Sequence, residues 1–541
     1  MPGVKSSLLV VFFVAVVLRI YGLFAYDLWF DEIGTKLFSY QSIHRMAELS
    51  HVAPQTIFQA RLTNDSHSFL YYHVVYFFSQ FLGEGKALRL LSLVFSVLTV
   101  GVFYRVARIL LTPRASFYAL IILALNPFHI WYAQEARVYA MAGFVSLLMV
   151  YAFLTAVRDN RWWQWLAVGV SGAAAMMTSY FNIFILALLP VYLKLRGEER
   201  SWRPWLIAMA VTAALCAPAV PLVTAQWQFV QGNFWLPEPT PLTALFTVLV
   251  FILGYSGFII QYAAGLVVFG VLAGWGTYHM AKADPGRALF LGLLVILPPA
   301  VIYVISHHST PVYIHRQMLI FSPYLYFLAA RGIEALPEER DRRVALGCVV
   351  LLMLSCLVNY YRNAMFDHKS RAKYFTGVVP KKNYQQTFRQ LEQNFREGDI
   401  VAATETQAFV MLFAHVLDVS GSGAPLQFGA FKYYLFPSMM QRFDNRFLRI
   451  QDIMAQIPES EINRLQTFVP APNGALVIDD DPVQEQPFNR VWLMSASWDN
   501  KGDQEAILNI NALQVRSLFD RLFHKKSTQI NDGIYLELYE K

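Results

Sequence analysis

Cysteine is nearly absent: the chain of 541 residues has three, Cys216, Cys348 and Cys356. All three fall within long apolar runs, so no disulfide framework supports any exterior part and the thiols read as packing groups. Charge is scarce too, at 15% of residues against 56% hydrophobic, which is far from the balance of a soluble globular chain. No P-loop occurs and no G-x-G-x-x-G opens a helix after a strand, so a nucleotide has no recognisable cradle. There is no repeat of fixed period, no low-complexity tract and no basic platform interleaved with aromatic residues, which excludes a nucleic-acid partner. The net charge of +7 comes from Lys and Arg in short loops between apolar runs, where they set orientation.

The apolar residues lie in segments of roughly 16 to 22, the length that crosses about 30 Å of hydrocarbon at 1.5 Å per residue. Candidate spans run at about 8–25, 88–108, 115–130, 138–157, 164–180, 182–195, 204–223, 262–281, 288–305, 318–335 and 343–360. The first resembles a signal peptide, but Arg19 interrupts its end and no small-x-small cleavage site follows, so it reads as a retained helix. Alternating from a cytoplasmic N-terminus, the eleven spans put Arg105, Arg108 and Arg114, then Arg158 and Arg161, then Lys194, Arg196, Arg200 and Arg203 inside. Lys282 and Arg287, then Arg340, Arg342 and Arg343, follow on the same side, while the outside loop 224–241 has no Lys or Arg. That asymmetry is the one expected of a multi-pass membrane protein. Two further apolar stretches, 68–83 and 242–258, read as interfacial or re-entrant helices, since counting either one alone as a span inverts everything after it. A fully crossing pair stays open.

After about residue 361 the composition becomes that of a soluble domain. "NYQQTFRQLEQNFREGDIVAAT" reads as an amphipathic helix, a Gly stop and a strand. The runs "GALVIDD", "RVWLMSAS" and "GIYLELYE" read as strands around a helix near 504–523. The expected organisation is a helical membrane domain over 1–360 and a small exterior α/β domain over 361–541.

With orientation assigned, the polar residues sort by side. Asp31 and Glu32 of "WFDEIG", His67 of "DSHSFLYYH", "WYAQEARVYA" at 131–140, "NFWLPEP" at 233–239 and "SHHSTPVYIHRQ" at 306–317 all fall at exterior helix ends. For any one of them the plain reading is a solvated loop end, or a carboxylate paired with a nearby Arg. Five such clusters on one face weigh against it, because ionisable groups at membrane depth usually face a cavity or a partner. Acids, Arg and His gathered there suit group transfer from a lipid phosphate: a carboxylate takes a proton from an acceptor hydroxyl and cations neutralise the departing phosphate.

The ordered set "LWFDEI", "HSFLYYHVVYFFSQFLGEGKALRLLSLVFSVLTV", "LNPFHIWYAQEARVYAM" and "YIHRQMLIFSPYLYFLAARGI" resembles bacterial membrane glycosyltransferases of the GT-C superfamily, specifically family 39 with its aminoarabinose-transferase and protein O-mannosyltransferase relatives. The resemblance covers about residues 1–340 and is specific in order and spacing. It implies a sugar donor on a polyprenyl phosphate, transfer with inversion at the periplasmic or extracellular face of a bacterial inner membrane, and a glycan, lipid or protein acceptor. By that resemblance Asp31 would be the general base or acceptor-orienting carboxylate, with Glu32 its companion. Arg137, Arg316 and His67 would face the donor phosphate. Glu135 would hold acceptor, metal or Arg137, and Tyr139, His315 and Trp235 would line the cavity. Ser68 and Phe69 replace both prolines of the H-P-P-L-Y-Y motif, and Gln317 stands where a Tyr commonly follows Arg316.

His67, His307, His308, His315, Asp31 and Glu135 offer nitrogen and oxygen ligand types without any fixed-spacing metal motif. The sequence therefore requires no cofactor and leaves a divalent metal open. The rival reading is a transporter or flippase for a lipid-linked glycan, which should carry paired repeats and spans broken at corresponding positions in two halves. Neither is visible. A non-catalytic scaffold has no positive support. A topology reporter fused near residue 110 should read cytoplasmic, and fusions near 232 and after 400 should read exterior; a cytoplasmic signal near 232 would overturn the eleven-span alternation.

Overall fold

The computed structural model of the chain describes residues 2–63, 69–233, 236–364, 378, 385–404, 406–419, 431–435, 465–470, 476–481, 489–496, 510–531 and 534–541. Each expected span coincides with a helical segment, from Pro2–Ile20 to Glu339–Tyr361. Among the described residues six helices are long and apolar enough to cross a bilayer: Gly85–Leu110, Tyr139–Asp159, Glu199–Gln228, Ile259–Ala283, Pro285–His308 and Glu339–Tyr361. A seventh forms if Pro113–Leu125 and Pro127–Ala133, bent by 54°, are one broken span. This is a multi-pass membrane protein. The other expected spans are shorter. Asn182–Arg196, for example, has 15 residues, about 22 Å at 1.5 Å per residue. The stretches at 68–83 and 242–258 form helices of 13 residues, Leu70–Leu82 and Pro241–Leu253.

One expected loop is helical. The chain from Glu199 does not end near residue 223, because Pro218 and Pro221 only tighten it into a 3-10 turn at Ala217–Ala219, and Val220–Asn233 continues as helix. Proline at the first helical position costs no hydrogen bond, which is why the sequence pattern overstated the break.

The break between Pro113–Leu125 and Pro127–Ala133 has a local cause and a distant repair. Pro127 has no N–H for the carbonyl of Leu123, four residues back. Arg19, fully buried in the first helix, donates to Leu123 O at 3.3 Å and Ala124 O at 3.2 Å, and its Nε donates to Ser96 Oγ at 2.8 Å. Asn126 then caps the new helix, its side-chain oxygen accepting from the N–H groups of Phe128 and His129. Gln134 does the reciprocal service, donating to the carbonyls of Leu18, Arg19 and Tyr21 that the first helix leaves unpaired at its end. The turn after residue 133 is thereby pinned to the end of the first helix.

Beyond Tyr361 the described residues form a seven-stranded mixed sheet. The strands are β1 (Ile400–Ala403), β2 (Phe431–Leu435), β3 (Leu465–Pro470), β4 (Leu476–Asp481), β5 (Arg490–Ala496), β6 (His524–Asn531) and β7 (Ile534–Glu540), in the order β4-β3-β2-β1-β5-β7-β6. β1 is parallel to both neighbours, with Val401 opposite Phe431 and Trp492, and the outer pairs are antiparallel. Four of these strands, β1, β4, β5 and β7, fall on the runs read as strands from sequence. The helices Gln385–Asn394, Thr406–Val419 and Ile510–Leu522 accompany them.

Helices Ile259–Ala283 and Ser322–Glu334 approach backbone to backbone. A Cβ added at Gly332 would stand 1.9 Å from the Leu272 carbonyl oxygen, and one at Gly276 would stand 1.9 Å from that of Leu328; small residues permit such crossings. Gly332→Ala should therefore force the helices apart and cost at least about 1–3 kcal/mol, measured as a fall in the thermal transition in detergent. Gly274→Ala, which meets nothing within 4 Å, should leave the transition unchanged, and equal behaviour of the two would refute the close crossing.

Candidate active site

The segment after the first helix carries the short helices Phe30–Lys36, Tyr40–Ser50 and Pro54–Thr63. In the first of these Asp31 and Glu32 are adjacent, and successive helical positions point about 100° apart. They therefore have different surroundings. Glu32 is fully buried and meets Arg89, itself 1% exposed, in a paired contact of 2.7 and 2.6 Å. Its carboxylate also accepts from the N–H of Ala136 at 2.7 Å and of Trp29 at 3.3 Å. Arg89 spends its remaining donors on the carbonyls of Leu23, Tyr26 and Asp27.

Asp31 stays partly exposed, and its Oδ2 accepts from Arg316 Nη1 at 2.6 Å. Arg316 lies in the 3-10 turn His315–Phe321, 285 residues away, with its guanidinium 5.8 Å from the centroid of the Tyr139 ring. Burial opposes its charge, but the Tyr139 phenol and the Asp31 carboxylate outweigh that and hold the guanidinium above its ordinary value. Arg137 approaches from the other side: its Nη1 donates to the backbone carbonyl of Asp31 at 3.1 Å and to Thr35 Oγ1 at 3.3 Å. One carboxylate and two buried guanidiniums, from three distant segments, thus share one small volume.

The remaining expected residues divide. Glu135 is buried and accepts from the Trp131 indole N–H at 2.7 Å, and Tyr139 stands beside Arg316. The His315 ring is engaged with Thr247 at 3.0 Å, and Thr247 also meets the Tyr313 hydroxyl at 2.6 Å. His67 and Trp235 lie outside the described residues. His307 and His308 are exposed at the end of helix Pro285–His308. Among the described residues no three His, Cys, Asp or Glu side chains come together as metal ligands. The carboxylates of Asp31, Glu32 and Glu135 accept from Arg316, Arg89 and the Trp131 indole, respectively.

Residues 66–224 match the family model described as dolichyl-phosphate-mannose-protein mannosyltransferase. That segment includes Arg89, Glu135 and Arg137. Solved structures extend the likeness along the chain. ArnT from Cupriavidus metallidurans in the apo state aligns with a TM-score of 0.57 at 13% identity, over 99% of this chain and 98% of that one. The fold is that of the GT-C glycosyltransferases. The archaeal oligosaccharyltransferase AglB from Archaeoglobus fulgidus, in complex with an inhibitory peptide and a dolichol-phosphate, aligns with a TM-score of 0.53 at 10% identity, over 99% of this chain and 88% of that one. The same enzyme in complex with zinc and sulfate gives 0.52 at 11%. No curated protein matches by sequence.

In this GT-C fold sequence reasoning found the two arginines at Asp31, Arg316 on its carboxylate and Arg137 on its backbone carbonyl, and passed over those that hold its helix. Arg89 was visible as a lone cation opening a long apolar run, a position that demands a buried partner. Thr35 gave no signal beyond its place one turn after Asp31. Removing one member of a fully buried ion pair strands the other, at about 3–5 kcal/mol. Glu32→Gln and Arg89→Met should accordingly lose folded yield and thermal stability at matched expression; a stable but inactive Glu32→Gln protein would place Glu32 in the chemistry instead.

Proposed function

We propose that the protein is an inverting glycosyltransferase that moves a sugar from a polyprenyl-phosphate donor to an acceptor hydroxyl at the outer face of a bacterial inner membrane. The observation that carries this is the Asp31 carboxylate paired with Arg316 while Arg137 holds the Asp31 backbone carbonyl, at one end of a helical membrane bundle. The 66–224 match, and the presence of dolichol-phosphate in the AglB structure, support a lipid-phosphate donor. In this reading residues 1–360 form the transfer domain with a cytoplasmic N-terminus, and residues 361–541 form the exterior domain.

The acceptor oxygen attacks the anomeric carbon from the face opposite the phosphate, the bond from that carbon to the phosphate oxygen breaks, and polyprenyl phosphate departs with the bonding pair. Asp31 takes the acceptor proton. Arg316 and Arg137 suit the phosphate, since guanidinium donors pair with its oxygens two at a time. A phosphate drawing on Arg316 releases Asp31 from its ion pair and turns the carboxylate toward the hydroxyl. His67, next to the Leu70–Leu82 helix in sequence, is assigned to the same phosphate. Glu135, Tyr139, His315 and Trp235 are assigned to the cavity wall.

The test uses full-length protein in nanodiscs with a radiolabelled polyprenyl-phosphate sugar, reading release of lipid phosphate, which a transporter or scaffold does not produce. Asp31→Asn keeps shape and removes basicity, so transfer should fall about 10²–10⁴-fold while donor binding persists. Arg137→Ala and Arg316→Ala should each fall roughly ten- to a hundredfold, the worth of a charge-assisted hydrogen bond, with partial rescue by Lys. Wild-type turnover in Asp31→Asn would remove the base, and wild-type turnover in both Ala variants would remove the phosphate site. Chelation should leave turnover unchanged.

A further inference from the structure

The segment from Asp27 to Lys36, with Asp31 in its middle, is gripped at both ends by the C-terminal region. At the start, Asp27 accepts from the backbone N–H of Gln385 at 2.9 Å, and its other oxygen meets Lys86 Nζ at 2.8 Å. At the far end Lys36 is buried, and its ammonium pairs with Asp418, 382 residues on, near the end of helix Thr406–Val419. The second oxygen of Asp418 accepts from Arg45 at 3.0 Å, and Arg45 also donates to Glu84 at 2.7 Å. Glu84 in turn accepts from the hydroxyls of Ser39 and Ser42 at 3.3 and 3.1 Å, at the start of helix Tyr40–Ser50. One carboxylate of the C-terminal region thus ties two of the short helices.

The helix that presents Asp418 is itself braced. One turn earlier His415 stacks on Phe388 with ring centroids 4.4 Å apart, and its Nε2 lies 3.0 Å from Glu392. Phe388 and Glu392 belong to helix Gln385–Asn394, which also supplies the Gln385 grip on Asp27. Both grips therefore trace to one rigid helix pair. A helix of seven residues, Phe30–Lys36, is too short to hold its own geometry by backbone hydrogen bonds alone, so the grips at its ends act with the Glu32–Arg89 pair in fixing where Asp31 points.

We propose that Asp418 is a positioning residue for transfer: by holding Lys36 and Arg45 while Gln385 holds Asp27, the C-terminal region fixes Asp31 relative to Arg316. The proposal rests on the assignment of Asp31 to proton transfer given above. It gives the exterior domain a part in the membrane domain's reaction without contact with the reacting atoms.

The experiment compares Asp418→Asn, Lys36→Met, their double variant and Asp418→Glu in the full-length protein, reading hydrogen exchange at the amides of 30–36 together with kcat and donor KM. Asp418→Asn should speed exchange in that helix and lower kcat about tenfold, the worth of one charge-assisted hydrogen bond, at unchanged KM. Lys36 acts through Asp418, and groups sharing one contact are non-additive, so the double variant should be no worse than Asp418→Asn alone. Asp418→Glu should restore most of the rate. Wild-type exchange and kcat in Asp418→Asn, additive losses in the double variant, or faster exchange spread equally through helix Arg89–Leu110 would each overturn the positioning role. A wild-type protein that releases no lipid phosphate would fail the transfer reading separately, and exchange at 30–36 would still decide whether Asp418 holds the helix.

Discussion

The rest of the site depends on the ion pair between Glu32 and Arg89. Burying two charges costs more than their attraction returns unless every remaining donor and acceptor is used. Here all five guanidinium N–H groups have acceptors: Glu32 twice, and the carbonyls of Leu23, Tyr26 and Asp27. Both carboxylate oxygens carry a second donor, from Ala136 and Trp29. A pair so completed is best understood as a device of register. It locks the Phe30–Lys36 helix to the span beginning at Arg89 and to the turn of 135–137, three pieces that must agree before Asp31 can face Arg316. Adjacent acids then have a physical reason. The inward one sets the rotation of a two-turn helix, and the outward one is what that rotation delivers.

A second constraint acts from the membrane interior. Pro127 takes the helical donor from a backbone carbonyl buried among packed helices, and a buried carbonyl without a donor is costly. Arg19 supplies the donors, and Gln134 caps the helix that carries Arg19. The Tyr360 hydroxyl donates to the Gln134 side-chain oxygen at 2.8 Å. The kink is thereby fixed in angle and tied to the last membrane helix. The chain emerging from it carries Glu135, Ala136 and Arg137 across the end of the bundle, which is how a break in one helix becomes the aim of an arginine.

Much of this was legible in sequence because it depends on short-range pattern. The apolar runs gave the helices, and the strand-like runs at "RVWLMSAS" and "GIYLELYE" fall on β5 and β7. Charge asymmetry gathered Asp31, Arg137 and Arg316 at one end before any contact was known. What escaped depends on pairing across long separations. Arg89 meets Glu32 at a separation of 57 residues, and Lys36 meets Asp418 at 382; periodicity within a window of a dozen residues carries neither. The sheet order was equally out of reach, since β1 takes β2 and β5 as parallel neighbours across intervening chain. Helices of 13 to 15 residues share the apolar pattern of the longer ones, whereas length and apolarity together qualify six or seven helices among the described residues.

Charge balance connects the geometry to the proposed reaction. Asp31 at −1 with Arg137 and Arg316 at +1 each leaves this group at +1, one unit opposite to a sugar phosphodiester. As the glycosidic bond breaks the phosphate gains a second negative charge, while the proton reaching Asp31 removes that carboxylate's own. The group then stands at +2 against a dianion. Charge on the protein and charge on the leaving group thus grow together along one coordinate, so stabilisation is greater at the transition state than for the bound donor. The Asp31–Arg316 contact of 2.6 Å is what makes the two changes one event: the cation that phosphate needs is the one the base must give up. An arginine placed elsewhere would bind donor equally well and leave the base unswitched.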